Sequence, residues 1–194
     1  ISDLVTRVNT LNADVVVITG DLVDTKLEYA QDALDELSKL QSTYGTYFIV
    51  GNNEYCNGVQ YIIDYVSFLG IKVLENENVY IGKPDEGFFL CGVYDRFGYR
   101  YGDYIPDIKS ATKNTNNYPT ILLAHQPKYI EDIETTEGID LVLSGHTHGG
   151  QIIPFNFLVK LQQPYVKGLH QHNDTTQIYV NKGTGFWGPP MRLG

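Results

Sequence analysis

The chain is short of several things, and each shortage removes a class of explanation. It has two cysteines, Cys56 and Cys91, without CxxC spacing; they are too few for a disulfide framework and read as structural thiols. No stretch approaches the roughly 20 apolar residues of a membrane-spanning helix, and no signal peptide opens the chain. Basic residues are scarce, 14 against 23 acidic ones, for a formal charge of −9 and a pI near 4.9. No basic footprint for a nucleic-acid backbone exists, and none is expected as a partner. Internal repeats, low-complexity tracts and Pro/Gly-rich linkers are absent as well. With 42% hydrophobic and 19% charged residues among 194, the composition excludes disorder and suffices for one domain spanning 1–194. Most carboxylates read as solvated surface, while some can be matched by bound cations.

The hydrophobic pattern alternates strands with amphipathic helices. "DVVVITGD" (14–21) is a β-branched run stopped by Gly20, and "TYFIVGN" (46–52) repeats the strand-then-glycine pattern. Between them Ala30, Ala33, Leu34, Leu37 and Leu40 share one helical face. After "TYFIVGN", Val59, Ile62, Ile63 and Val66 do the same, with Gly70 as a C-terminal cap. Strands then crowd together: "IKVL", "NVYI", "GFFLCGV", "TILLAH", "DLVLSGH" and "TQIYVNKG". This order predicts an α/β layered domain, sheets sandwiched between helices. Residues 95–118 carry weaker signals, with a short helix near Ile108 and loop elsewhere.

Chemistry concentrates where strands end. Apolar runs lead into Asp21 and Asp24 of "GDLVD", Asn52 of "GNNE", His125 of "LLAHQ", and His146 and His148 of "SGHTHGG". Ligands of open α/β sheets bind at the carboxyl ends of strands, so parallel neighbours would bring these tips together. Glycine next to a polar tip lets backbone pass close to a ligand or another strand. Three of only five histidines occupy these positions. Carboxylate and amide oxygens mixed with imidazoles suit Mn²⁺, Fe or Zn²⁺ better than Ca²⁺. A carboxylate such as Asp21 can bridge two cations ~3.5–4 Å apart, a pair that activates a bridging water and clamps phosphoryl oxygens.

In this order the residues resemble the calcineurin-like metallophosphoesterase superfamily, whose pattern DxH, GDxxD, GNHE, strand-end His, GHxH stands here as "ISD", "GDLVD", "GNNEY", "LLAHQP" and "GHTHGGQ". "LVLSGHTHGGQIIPF", "QQPYVKGL" and "GTGFWGPPMRLG" resemble its bacterial branch, whose members are often attached to membranes; the likeness covers nearly the whole chain. It implies a layered sandwich of two mixed β-sheets flanked by helices, two divalent cations (Mn²⁺ foremost, Fe or Zn²⁺ otherwise) and a phosphomonoester or phosphodiester substrate. Lipid-linked and nucleotide-sugar diesters are among the family's substrates. By resemblance Asp3 would hold the first cation and Asp21 would bridge both. Asn52, His125 and His146 would hold the second, with His148 returning to the first. Asp24 takes no metal-binding role, and Glu54 orients its neighbours.

Two departures from the pattern matter. Asn53 stands where the family has the histidine of GNHE, and an amide cannot deliver a proton to a leaving group, a loss worth ~10²–10⁴-fold in rate. Val5 stands where the histidine of DxH would be. Leu4, Val8 and Leu11 already follow a helical period, so a strand at "ISD" would run into a helix without a loop. Residues missing between Asp3 and Leu4 would explain that join. The chain reads as trimmed at both ends, with a membrane anchor expected outside it. These departures keep open a second reading, a metal-binding scaffold or sensor with little turnover. A Ser or Cys hydrolase has little support, since GxSxG is absent and no histidine neighbours Cys56. His170 and His172 read as a polar hairpin tip, Phe186 and Trp187 as either pocket wall or core, and Arg192 as a phosphate contact through its guanidinium fork.

Overall fold

A strand buried on both faces must be apolar throughout, and the alternation then decides which layer each side chain enters. The computed structural model, which describes residues 1–193, places helix α1 at Ser2–Asn9, strand β1 at Val16–Ile18, α2 at Leu27–Asp35, β2 at Thr46–Phe48, α3 at Asn52–Asn57 and α4 at Val59–Phe68. Strands β3 (Lys72–Val73), β4 (Glu77–Ile81) and β5 (Phe88–Gly92) follow, then α5 (Gly98–Tyr101), α6 (Ile108–Ala111), β6 (Thr120–Leu123), β7 (Leu141–Ser144), α7 (Phe155–Gln162), β8 (Gly168–Gln171) and β9 (Gln177–Val180). One sheet runs β1-β2-β3 and is wholly parallel; the other runs β4-β5-β6-β7-β9-β8, parallel inside with antiparallel edge pairs.

The two sheets face each other across a core built from Tyr47, Ile49, Leu74, Ile81, Leu90 and Leu123. One residue further along each strand the side chain faces outward. Phe48 and Val50 join Val5, Leu34, Ile62, Ile63 and Val66 of the helices on one side. Cys91, Leu122, Val142 and Ile178 pack with Ala111, Tyr129 and Ile130 on the other. The result is an α/β fold of two sheets flanked by helices. Helix α4 ends in a paired cap: Gly70, at φ 83°, donates its N–H to the Ser67 carbonyl, and Ile71 donates to that of Val66.

Gly92 lies on the face between the sheets. A Cβ there would collide with Leu74 Cβ and sit 2.8 Å from Ile49 Cγ2, both fixed in the inter-sheet core. Overpacking of this kind costs about 1–3 kcal/mol, so urea denaturation of Gly92→Ala is expected to show a lower midpoint with an unchanged m-value.

Several local expectations are corrected. "ISD" is no strand: Ser2 and Asp3 form the first turn of α1, where the Val5 N–H bonds to the Ile1 carbonyl at 2.9 Å and Val5 is buried. Three residues without a neighbouring strand satisfy their backbone groups inside a helix instead, and no strand-to-helix join arises. "GLHQ" is strand β8, with His170 in it and only His172 in the turn. Helices α3, α5 and α7 go beyond what periodicity indicated, because their glycines, asparagines and aromatics give weak helical signals.

Candidate metal centre

The carboxyl ends of strands from both sheets converge. Past β1 comes Asp21, past β2 Asn52, past β6 His125 and past β7 His146. His125 is buried, and its Nδ1 lies 2.6 Å from the Thr19 carbonyl, which makes that nitrogen the N–H donor. Its Nε2 then meets Asp21 Oδ2 at 3.1 Å, Asn52 Oδ1 at 3.2 Å and His146 Nδ1 at 3.2 Å. One ring nitrogen cannot hydrogen-bond all three at once, and atoms this electron-rich, crowded this closely, need positive charge among them, either a proton on Nε2 or a bound cation. Ligand atoms of Asp21, His125 and His146 all lie within 4.8 Å of one another.

Electrostatics follow from that crowding. Burial opposes ionisation of Asp21, yet the adjoining His125 holds its carboxyl below the usual range. Burial lowers His125 too, but the Asp21 charge wins and raises it to about 9. Burial, with His125 beside it, depresses His146 to about 3, so its imidazole is neutral and free to donate a lone pair. His148 is pulled down chiefly by burial, and its buried Nδ1 has no hydrogen-bond partner among the described residues. His148 lines the cavity with Asp21, Asn52 and His146 but lies outside the tight group formed by Asp21, His125 and His146, whose donor atoms fit a cation.

The loops are held by Glu54, which is fully buried. Its Oε1 accepts the N–H groups of Leu22 (2.7 Å) and Val23 (3.3 Å), and its Oε2 those of Gly51 (2.6 Å) and Asp21 (3.0 Å). Burial and the Asp21 charge push Glu54 up to about 7. Four N–H donors nevertheless occupy every lone-pair direction and favour the carboxylate. Glycines let the loops approach this closely. A Cβ on Gly20, at φ 88°, would come within 2.6 Å of both Gly51 N and His125 Nδ1, and one on Gly51 within 2.5 Å of Asp21 Oδ1. Asp21, His146 and His148 are themselves left-handed at φ 54°, 66° and 49°, strain of about 1–3 kcal/mol each of the sort that gathers at functional sites.

Other sequence candidates fall elsewhere. Asp3 is exposed on α1 and is not brought into this cluster; its neighbour Ser2 reaches toward Glu36. Arg192 spends its guanidinium on backbone carbonyls, Nη1 on His148 (2.7 Å) and Nη2 on Lys182 (2.7 Å) and Gly185 (2.5 Å), and so staples the loop after β9 to the HTH turn. Asn53 borders the site: its N–H donates to Asp21 Oδ1 at 2.9 Å, and its side-chain oxygen accepts from Asn52 at 3.0 Å. Asp24 and Cys56 are exposed, and burial pushes the Cys91 thiol up to about 12, which leaves it inert. Phe186 and Trp187 are exposed rather than core.

Two residues escaped the motif reading. Asp95, past the end of β5, is buried beside Gln126 with Oδ2 unpartnered among the described residues, and burial raises its pKa. Asn181, past β9, donates to Thr19 Oγ1 and to the Ser144 carbonyl, both at 2.9 Å, and ties the two sheets together at the site. Each follows an apolar run, the signal that marks the other strand tips.

The centre opens into a cavity of about 500 Å³ whose walls combine Asp21, Asn53 and His148 with Leu158, Val159, Trp187 and Pro189. The calcineurin-like phosphoesterase family model matches residues 1–150. A metallophosphoesterase of Helicobacter pylori strain J99 is 48% identical over 191 residues, covering 98% of this chain and 50% of its own length. A bovine (Bos taurus) transmembrane protein with a metallophosphoesterase domain is 40% identical over 201 residues, 98% of this chain and 45% of its own. The chain thus spans about half the length of the curated relatives it matches. Among solved structures, the phosphopantetheinyl hydrolase of Mycobacterium tuberculosis shares the fold with a TM-score of 0.55 at 9% identity, over 87% of this chain and 78% of that one. Strand tips, motif order and relatives agree: the chain belongs to the calcineurin-like phosphoesterase family.

Proposed function

We propose that this chain is the catalytic part of a metal-dependent phosphoesterase, with Asp21, Asn52, His125 and His146 holding one divalent cation and Asp21 with His148 holding a second. The convergence of three side chains, Asp21, Asn52 and His146, on His125 Nε2 carries this reading, and His148 lines the same cavity. Mn²⁺ fits the mixed oxygen and imidazole donors best, with Fe or Zn²⁺ as alternatives. Because Asp3 lies outside the cluster, the cation shared by Asp21 and His148 binds more weakly. Bound cations would supply activation of water near neutral pH and neutralise charge on the phosphoryl oxygens.

The chain's own groups set the geometry. The Thr19 carbonyl fixes the His125 tautomer, Glu54 locks the loops that carry Asp21 and Asn52, and the Asn53 N–H orients the Asp21 carboxylate. The Asn53 amide can donate a hydrogen bond to a departing oxygen without giving it a proton, which favours esters with good leaving groups. The apolar wall of Leu158, Val159 and Trp187 suits a phosphoester that carries an apolar group, so a lipid-linked diester is preferred to a nucleotide-sugar. Among the described residues no helix is long and apolar enough to cross a membrane. A relative named as a transmembrane protein supports membrane attachment of the full-length protein through segments outside this chain.

The test is hydrolysis of an activated aryl phosphodiester, together with thermal melting, in Mn²⁺ and in EDTA. Turnover and a raised Tm in Mn²⁺, both lost in EDTA and in His125→Ala, are expected. A Tm that rises without turnover in any variant would favour the scaffold reading, and a folded chain indifferent to Mn²⁺ would reject both.

A further inference from the structure

The acidity of the chain is confined to its first part. Residues 141–193 hold four cations, Lys160, Lys167, Lys182 and Arg192, against the single acid Asp174, a net +3; the first 140 residues hold ten cations and the other 22 acids, a net −12. Large apolar side chains are turned outward on this same C-terminal part. Phe157, Leu158 and Leu161 of α7 are exposed, Leu161 at 82%, together with Trp187 at 61%, Met191 and Leu193.

These residues form one surface. Leu193 bridges Ile152 and donates its N–H to the Gln151 carbonyl at 2.8 Å. The Gln151 amide accepts the Trp187 N–H at 2.7 Å and donates to the Trp187 carbonyl at 2.6 Å. Leu158 of α7 and Trp187 both line the wall of the cavity that leads to Asp21 and His146. The Lys160 ammonium lies 6.0 Å from the Phe157 ring, an apolar stem on the patch with its charge at the rim. Of the acids in the first 140 residues, Asp21 lines the cavity and the exposed Asp24 lies near His148, while α7 itself carries none.

We infer that α7 and the loop carrying Trp187, Met191 and Leu193 form a docking surface for an anionic lipid bilayer. An exposed amphipathic helix without acids, an interfacial tryptophan and a cationic rim are what such a surface complements. A second copy packed symmetrically through this face would set like charges, Lys160 among them, against each other. Docking places the cavity mouth at the headgroups, so a phosphoester carried by a membrane lipid reaches the metal centre without leaving the bilayer. This last step rests on the phosphoesterase reading; the docking itself does not.

Trp187 is the only tryptophan, so its fluorescence reports on this surface alone. With vesicles of phosphatidylcholine and phosphatidylglycerol, its emission should move to shorter wavelength and the chain should co-sediment, more weakly with phosphatidylcholine alone and in high salt. Phe157→Asp/Leu161→Asp, two exposed positions outside the cavity wall, should weaken partitioning at least about tenfold and leave Mn²⁺-dependent hydrolysis of a soluble aryl ester unchanged. Lys160→Glu/Lys167→Glu should abolish the preference for anionic vesicles. Unchanged Trp187 emission, or undiminished binding by the Asp variant, overturns the proposal. So does self-association that the same variant abolishes, which would assign the face to a second copy. Vesicle binding without any hydrolysis would strike the phosphoesterase reading and leave the docking surface standing.

Discussion

Asn53→His is expected to raise turnover of alkyl phosphoesters with poor leaving groups by roughly 10²–10⁴-fold, the range of a restored general acid, and that of an activated aryl ester far less. Position 53 lies at the start of α3 on the cavity wall, next to the Asp21 carboxylate that its backbone N–H holds. An alkoxide departing there needs a proton that an amide does not have; an aryloxide leaves without one. The measurement is kcat/KM across leaving groups of increasing pKa. The native chain should show a steep decline and Asn53→His a shallow one. Equal gains for every leaving group would mean that the histidine improves binding or metal retention, and the proton-transfer account would be wrong.

Glu54→Ala is expected to unfold the site rather than merely dull it. Four backbone N–H groups lose their acceptor in a place without solvent access, and each buried donor left unmade costs about 1–3 kcal/mol. Water entering the vacated space recovers part of this, so a net loss of about 4 kcal/mol is expected, large for one substitution. Asp21 and Gly51 would separate, and displacement of ~1 Å at a catalytic group costs on the order of 10²-fold in rate. Glu54→Gln is no rescue, because its NH₂ would face two of the same donors. Denaturation and Mn²⁺ titration of both variants decide the matter: near-native stability in either would show that Glu54 is not the clamp between the two loops.

The strands were legible because their signal is local. Runs such as 46–50 and 88–93 are apolar on both faces, and a glycine marks where most of them stop. Helices α2 and α4 were legible through their 3.6-residue faces, and the Gly70 cap through its position after the last periodic residue. Helix α3 escaped notice because its sequence, NNEYCN, is chosen for what Glu54 and Asn52 do; propensity yields where a site needs particular side chains.

Taken alone, the sequence determined the α/β class, the strand tips and the family, since a polar residue closing a buried run beside glycine is readable within a few positions. Only the tertiary structure decided which atoms meet. The Asn181–Thr19 bond joins residues 162 apart, His125 reaches Thr19 across 106, and Glu54 gathers donors more than 30 residues away. It also turned the Arg192 fork onto carbonyls, placed Asp3 in a helix, and set exposed apolar side chains of α7 beside the cavity wall. Hydrogen bonding and burial across such separations depend on how two sheets pack, and no local pattern encodes that.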